Sequence, residues 1–156
     1  MINVHFEGDN RHRLEDAAGT NIGWIRGRAI GFVGLRDEHD AMTTVMALWE
    51  PLQTALAQHF PGRPHHVVHR SRLRLAHDGA FEWITDEQLP LARFYRGVGE
   101  GKGEGSAIEF ALPSYANEGV VISVAHVLAT ALVTYRATLK RTMPKPRAAR
   151  EREAIA

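Results

Sequence analysis

The chain opens in alternation: Met1-Ile2-Asn3-Val4-His5-Phe6 switches between apolar and polar with the two-residue period of a strand. Glu7-Gly8-Asp9-Asn10 supplies turn chemistry after it. A short second strand is expected over Arg11–Asp16, ended by Ala17-Ala18-Gly19. Asn21–Arg26 and Ala29–Leu35 then read as a hairpin around Arg26-Gly27-Arg28. From about 38 to 60 the period lengthens. Met42, Val45, Met46, Trp49, Leu52 and Leu56 fall on one stripe of a helix, in which Pro51 should kink the axis or end the first half.

The same order begins again after Phe60-Pro61-Gly62-Arg63-Pro64. Val67–Leu75 is extended, Asp78-Gly79 is a hairpin turn, and Ala80–Asp86 is the return strand. Leu91–Tyr95 continues in extended or irregular form, and Ala107–Leu112 is a further strand. A second helix covers about 117–141, stopped by Pro144 and Pro146. Three or four strands closed by one helix, twice over, predict an α+β fold with a mostly antiparallel sheet. Two phrases repeat as well: Ala29-Ile30-Gly31-Phe32-Val33 matches Ala107-Ile108-Glu109-Phe110-Ala111, and Gly23-Trp24-Ile25 matches Glu82-Trp83-Ile84. The expectation is a single domain over 1–143, made of pseudo-repeats 1–62 and 65–143, with a basic tail at 144–156. On that alignment, residues between the second tryptophan strand and Ala107 include an insertion of about 19 residues that the first half lacks.

The second helix differs from the first. Val120, Val121, Ile122, Val124, Ala125, Val127, Leu128, Ala129, Ala131, Leu132 and Val133 make it apolar nearly all round. Such a helix should be buried on every side, with the first helix or another subunit as its second cover, so a homo-oligomer is expected. The least charged stretch, Gly119–Tyr135, holds Ser, His and Thr and is short for a membrane span, so no membrane partner and a cytoplasmic location are expected.

Composition narrows the chemistry. The 156 residues are 44% apolar and 24% charged, and they include no cysteine, which excludes disulfides, thiol nucleophiles and Cys-ligated zinc. Net charge is +1 but unevenly spread. From Arg136 onward seven cations face two anions, whereas residues 1–135 carry twelve cations and sixteen anions. An acidic body with a basic end suits a chain that meets an anionic partner; the plain alternative is a solvated terminus.

Most clusters have a structural explanation. Asp37-Glu38-His39-Asp40 stands where a helix needs a cap and acids near its positive end. Trp24 and Trp83, taken as equivalents, read first as packing residues and second as stacking platforms. His65 and His69, if extended, lie about 13 Å apart and cannot share one ion by themselves, so no metal is expected. The Gly-rich run Arg96–Gly105 lacks the Walker pattern around Lys102 and reads as a mobile connection that can serve as a lid or binding arm.

Arg70, Arg72 and Arg74 are different. Alternation puts three guanidiniums on one face of a strand, where they repel one another unless carboxylates or phosphates lie over them. With Lys102, Lys140 and Arg141 they form the candidate ligand-binding set. No catalytic residue and no cofactor is indicated, because no Gly-x-Ser-x-Gly or ordered Ser/His/Asp signature occurs.

In topology, the tandem strand-then-helix units resemble the duplicated sheets of Whirly and PUR-type single-stranded nucleic-acid-binding proteins. That resemblance implies a sheet that binds nucleic acid. The expected function is a non-enzymatic oligomeric binding protein for an anionic partner, most plausibly nucleic acid. The alternatives are a protein-interaction or assembly module, and a small enzyme or small-molecule binder with a pocket under residues 96–106.

Overall fold

Backbone propensity and turn residues set eight strands and two helices in the computed structural model, which describes residues 1–61, 68–75, 81–85, 90–95 and 106–142. The strands are β1 (Asn3–Gly8), β2 (Arg11–Glu15), β3 (Asn21–Arg26), β4 (Ala29–Leu35), β5 (Val68–Leu75), β6 (Phe81–Thr85), β7 (Pro90–Tyr95) and β8 (Ser106–Ala111). Helix α1 (Glu38–His59) follows β4, and α2 (Glu118–Thr142) follows β8. Gly8, Asp9 and Asn10 have φ of 90°, 49° and 59°, so the β1–β2 turn uses the residues that best tolerate left-handed backbone. All strands join one sheet in the order β1-β2-β3-β4-β8-β7-β6-β5, and every neighbouring pair is antiparallel. The protein is thus α+β, as the sequence pattern predicts. The turn expected at Asp78-Gly79, the Gly-rich run with Lys102, His65 and the 144–156 tail lie outside the described residues.

Alternation decides which sheet face is covered. Leu14, Ile25, Ile30, Phe32, Phe94, Ile108 and Phe110 point to one side and are 0–2% exposed. Val45, Leu48 and Leu52 of α1 and Val124, Leu128 and Leu132 of α2 complete this core. Phe32 and Phe110 meet edge-on at its centre, their ring centroids 6.4 Å apart. Both helices therefore lie on one face of the sheet and against each other.

Helix α1 starts as its sequence requires. The Asp37 carboxylate accepts from the Asp40 amide at 2.8 Å, and the Asp40 carboxylate accepts from the Arg36 amide at 3.0 Å. The acidic cluster is a cap. Asp37→Ala should lower stability by about 1 kcal/mol, read as a shift of the urea midpoint; an unchanged midpoint would contradict the capping role. The helix runs on through Pro51 without ending there.

Helix α2 departs from the expectation of burial on every side. Its inner residues are covered by the sheet and α1, but Val127 and Val133 are 39% and 38% exposed. By length and composition Glu118–Arg141 is long and apolar enough to cross a bilayer, more so than the shorter stretch Gly119–Tyr135 suggests. Near its C-terminal end Arg136 donates from Nη2 to the Val33 carbonyl at 2.6 Å. There Gly34, at φ 84°, forms an irregularity in the β4–β8 register. Burial pulls the Arg136 pKa below its ordinary value, and the charge of Asp40 opposes that pull.

Candidate functional site

The other sheet face carries the polar half of each alternating strand. Across it, strand pairing lines up His5, Arg13, Trp24, Gly31, Glu109, Arg93, Glu82 and Arg74 in one row. Gly31 and Glu109 sit at its middle, on the two central strands. Gly31 permits the arrangement: a Cβ there would land on the Trp24 indole, so the ring lies directly across the bare backbone of β4. The indole Nε1 donates to Glu109 Oε2 at 2.8 Å, and Arg26 Nη2 reaches the same oxygen at 3.1 Å. The Glu109 side chain is only 13% exposed while that of Arg26 is 55% exposed. One carboxylate thereby fixes an aromatic ring and an arginine on the sheet surface.

Around this centre the face is cationic and aromatic. Arg11 lies directly opposite Arg26 across the β2–β3 pair, a like-charge placement in which Arg26 has the Glu109 carboxylate at 3.1 Å. Arg11 has no ion-pair partner among the described residues. Arg13 approaches Glu15 at 3.4 Å, and Glu15 also takes His5 Nε2 at 2.8 Å. Arg93 stacks over Tyr95, its guanidinium 5.9 Å from the ring centroid. Trp24, Arg11, Arg26, Tyr95 and Glu7 line a cleft of about 490 Å³. At the Val33 and Ala107 end this face is buried; at Arg11, Arg13, Arg26 and Ala111 it is exposed. No described helix covers it.

No family model, curated protein or solved structure matches the chain. The likeness to Whirly and PUR-type proteins therefore rests on element order alone, and the residues have to carry the argument.

The structure brings part of the candidate ligand-binding set to this face. Arg74 pairs in register with Glu82, which pairs with Arg93 and so joins the central row. Arg70 and Arg72 share its strand at two-residue spacing, although the β5–β6 register is irregular between Val68 and Leu73; the side chains of all three lie outside the described residues. Lys140 and Arg141 are exposed in the last turn of α2, on the helical layer, and are not brought to the row.

The two tryptophans are not equivalents. Trp24 belongs to β3, the third strand of its group, and Trp83 to β6, the second of its own. Position 83 pairs with Ala92 and Leu73, in the row of core residues Phe110 and Ile30, whereas position 24 lies in the polar row. Within the segment expected as an insertion before β8, β7 covers Pro90–Tyr95, and residues 86–89 and 96–105 lie outside the described residues.

Sequence reasoning missed Glu109, Arg26, Arg93 and Tyr95 as site residues. A signal for Glu109 was present: it is the one charge inside an otherwise apolar strand, at the position where the matching phrase has Gly31.

Proposed function

We propose that the protein is a non-enzymatic, oligomeric binding protein whose sheet face opposite α1 and α2 contacts single-stranded nucleic acid. The observation that carries this reading is the facing pair Arg11 and Arg26 beside a half-buried Trp24 held in place by Glu109. A phosphate supplies Arg11 with an anion as Glu109 does for Arg26, and an unpaired base offers a π-face to Trp24 or Tyr95. Arg74, in the same row, extends the cationic track toward the β5 edge, with Arg70 and Arg72 beside it in sequence. The reading favours this face over the α2 terminus with Lys140 and Arg141.

The pseudo-repeat belongs to the same reading. Two groups of four strands and a helix, a strand order symmetric about the β4–β8 pair, and antiparallel pairing of the two matching phrases about Gly31 and Glu109 support a duplicated unit. Oligomerisation is supported by Phe6, 67% exposed on edge strand β1, and by exposed Val127 and Val133 on α2. Light scattering should give a mass that is a multiple of 17.4 kDa; a single-chain mass at working concentration would remove the oligomer from the account.

Binding is tested by fluorescence anisotropy with a labelled single-stranded oligonucleotide. The affinity should fall as salt rises, with a log–log slope of about −0.7 per phosphate contacted. Absence of binding at low salt would end the nucleic-acid reading.

A further inference from the structure

Helix α2 is covered on one side. Its inner residues meet the sheet and α1, and no described element lies over its outer side, where Val127 and Val133 are exposed. A surface helix ordinarily turns charged and polar groups to water, and α1 does so with Glu50, Thr54 and Gln58. The outer side of α2 is different. Gly119–Tyr135 contains no Asp, Glu, Lys or Arg, and its exposed residues are Gly119, His126, Val127, Thr130, Val133 and Thr134.

Two features indicate what covers this side. The first is symmetry about Thr130. Val127 and Val133 stand three residues before and after it, which puts them about 60° to its left and right on the helix. Two such faces match when one copy is turned by 180° about an axis through Thr130. Val127 of each copy then comes level with Val133 of the other, and Thr130 meets itself. The second feature is charge. Glu118 lies before Thr130, and Lys140 and Arg141 lie after it, each about 15–18 Å along the axis. An antiparallel pair brings the acidic end of one helix level with the basic end of the other, whereas a parallel pair sets like charges together.

We propose that the outer side of α2 joins two copies of this chain in an antiparallel dimer centred on Thr130. The proposal rests on the oligomeric part of the function proposed above and names its interface. A groove of about 520 Å³ between the helices, lined by Ala47, Pro51, Thr54 and Val127 among others, seats the flank of the second α2. The valines supply the apolar contact. The charged ends are solvent-exposed, Glu118 by 66%, so they set direction more than strength. The two helical layers lie back to back, and both sheet faces opposite them point outward.

The test is sedimentation equilibrium of the full chain and of variants at Thr130, an exposed position whose change leaves the core untouched. The parent should sediment at twice 17.4 kDa. Thr130→Glu and Thr130→Lys each place like charges together at the axis and should raise the dimer Kd about 100-fold. An equimolar mixture of the two should recover a dimer, which also shows that each variant is folded. Because the chain has no cysteine, Thr130→Cys carries its sole thiol and should give a covalent dimer on mild oxidation. Glu118→Cys, about 36 Å from its symmetry mate, should not. A parent dimer that both Thr130 variants leave intact, or a mixture that stays monomeric, overturns this interface and leaves the oligomeric reading standing. A monomeric parent overturns both. Cosedimentation of that monomer with phosphatidylcholine–phosphatidylglycerol vesicles would give the face to a membrane instead, as the length of α2 allows.

Discussion

Gly31→Val is expected to destabilise the protein by about 3–6 kcal/mol, the sum of overpacking and of a lost hydrogen bond to a carboxylate. The position is buried on the central strand β4, and its missing side chain is the space the Trp24 indole fills. A valine there cannot move aside, because β3 and β8 hold the backbone on both edges. The ring must lift, breaking the 2.8 Å bond to Glu109. Glu109 is then left under the sheet surface with Arg26 as its remaining described partner. For a chain of this length the loss corresponds to a melting temperature lower by roughly 6 to 20 °C. Gly119→Ala provides the contrast. Its Cβ would meet Asn117 Oδ1 at an ordinary 3.5 Å inside a helix, so stability should hold or rise by about 0.5–1 kcal/mol. Equal melting temperatures for Gly31→Val and the parent protein would contradict the seating of Trp24 on β4.

The elements were legible because periodicity reports them directly. Both helices, the Asn21–Arg26 and Ala29–Leu35 hairpin and the cap at Asp37 follow from apolar spacing and turn residues, to within a residue or two of the structure. Pro51 misled in part: it removes one amide donor, yet the surrounding stripe of Val45, Leu48, Leu52 and Ala55 buries enough surface to carry α1 through it. The site was harder to read. Which face a strand residue occupies depends on the register with its neighbours, and register is a long-range property. Trp24 and Trp83 share a local phrase but lie in different rows, because one stands on the third strand of its group and the other on the second. Glu109 meets Trp24 across 85 positions of sequence, a distance no local pattern spans. The exposed side of α2 was likewise invisible to a reading by composition: two helices on one sheet face leave an outer surface, and Val127 and Val133 lie on it.

Loss of the sheet-face arginines should have the largest effect on binding. Arg11→Ala/Arg13→Ala/Arg74→Ala removes three cations from two strands, β2 and β5, while leaving Glu109, Trp24 and Arg26 intact. At about 1 kcal/mol for each phosphate contact, the oligonucleotide Kd should rise roughly 100-fold. The salt dependence should become shallower by about 2 units of log–log slope. Lys140→Ala/Arg141→Ala removes two exposed cations from the helical layer and so separates a sheet-face footprint from general attraction to a basic protein. The decisive measurement is therefore the anisotropy titration of one single-stranded oligonucleotide against the parent protein and these two variants, at two salt concentrations. The account predicts a roughly 100-fold weaker Kd with a flatter salt slope for the arginine triple variant, and near-parental binding for the α2 variant. Parental affinity in the triple variant, or a larger loss in the α2 variant, would contradict the sheet face as the binding surface.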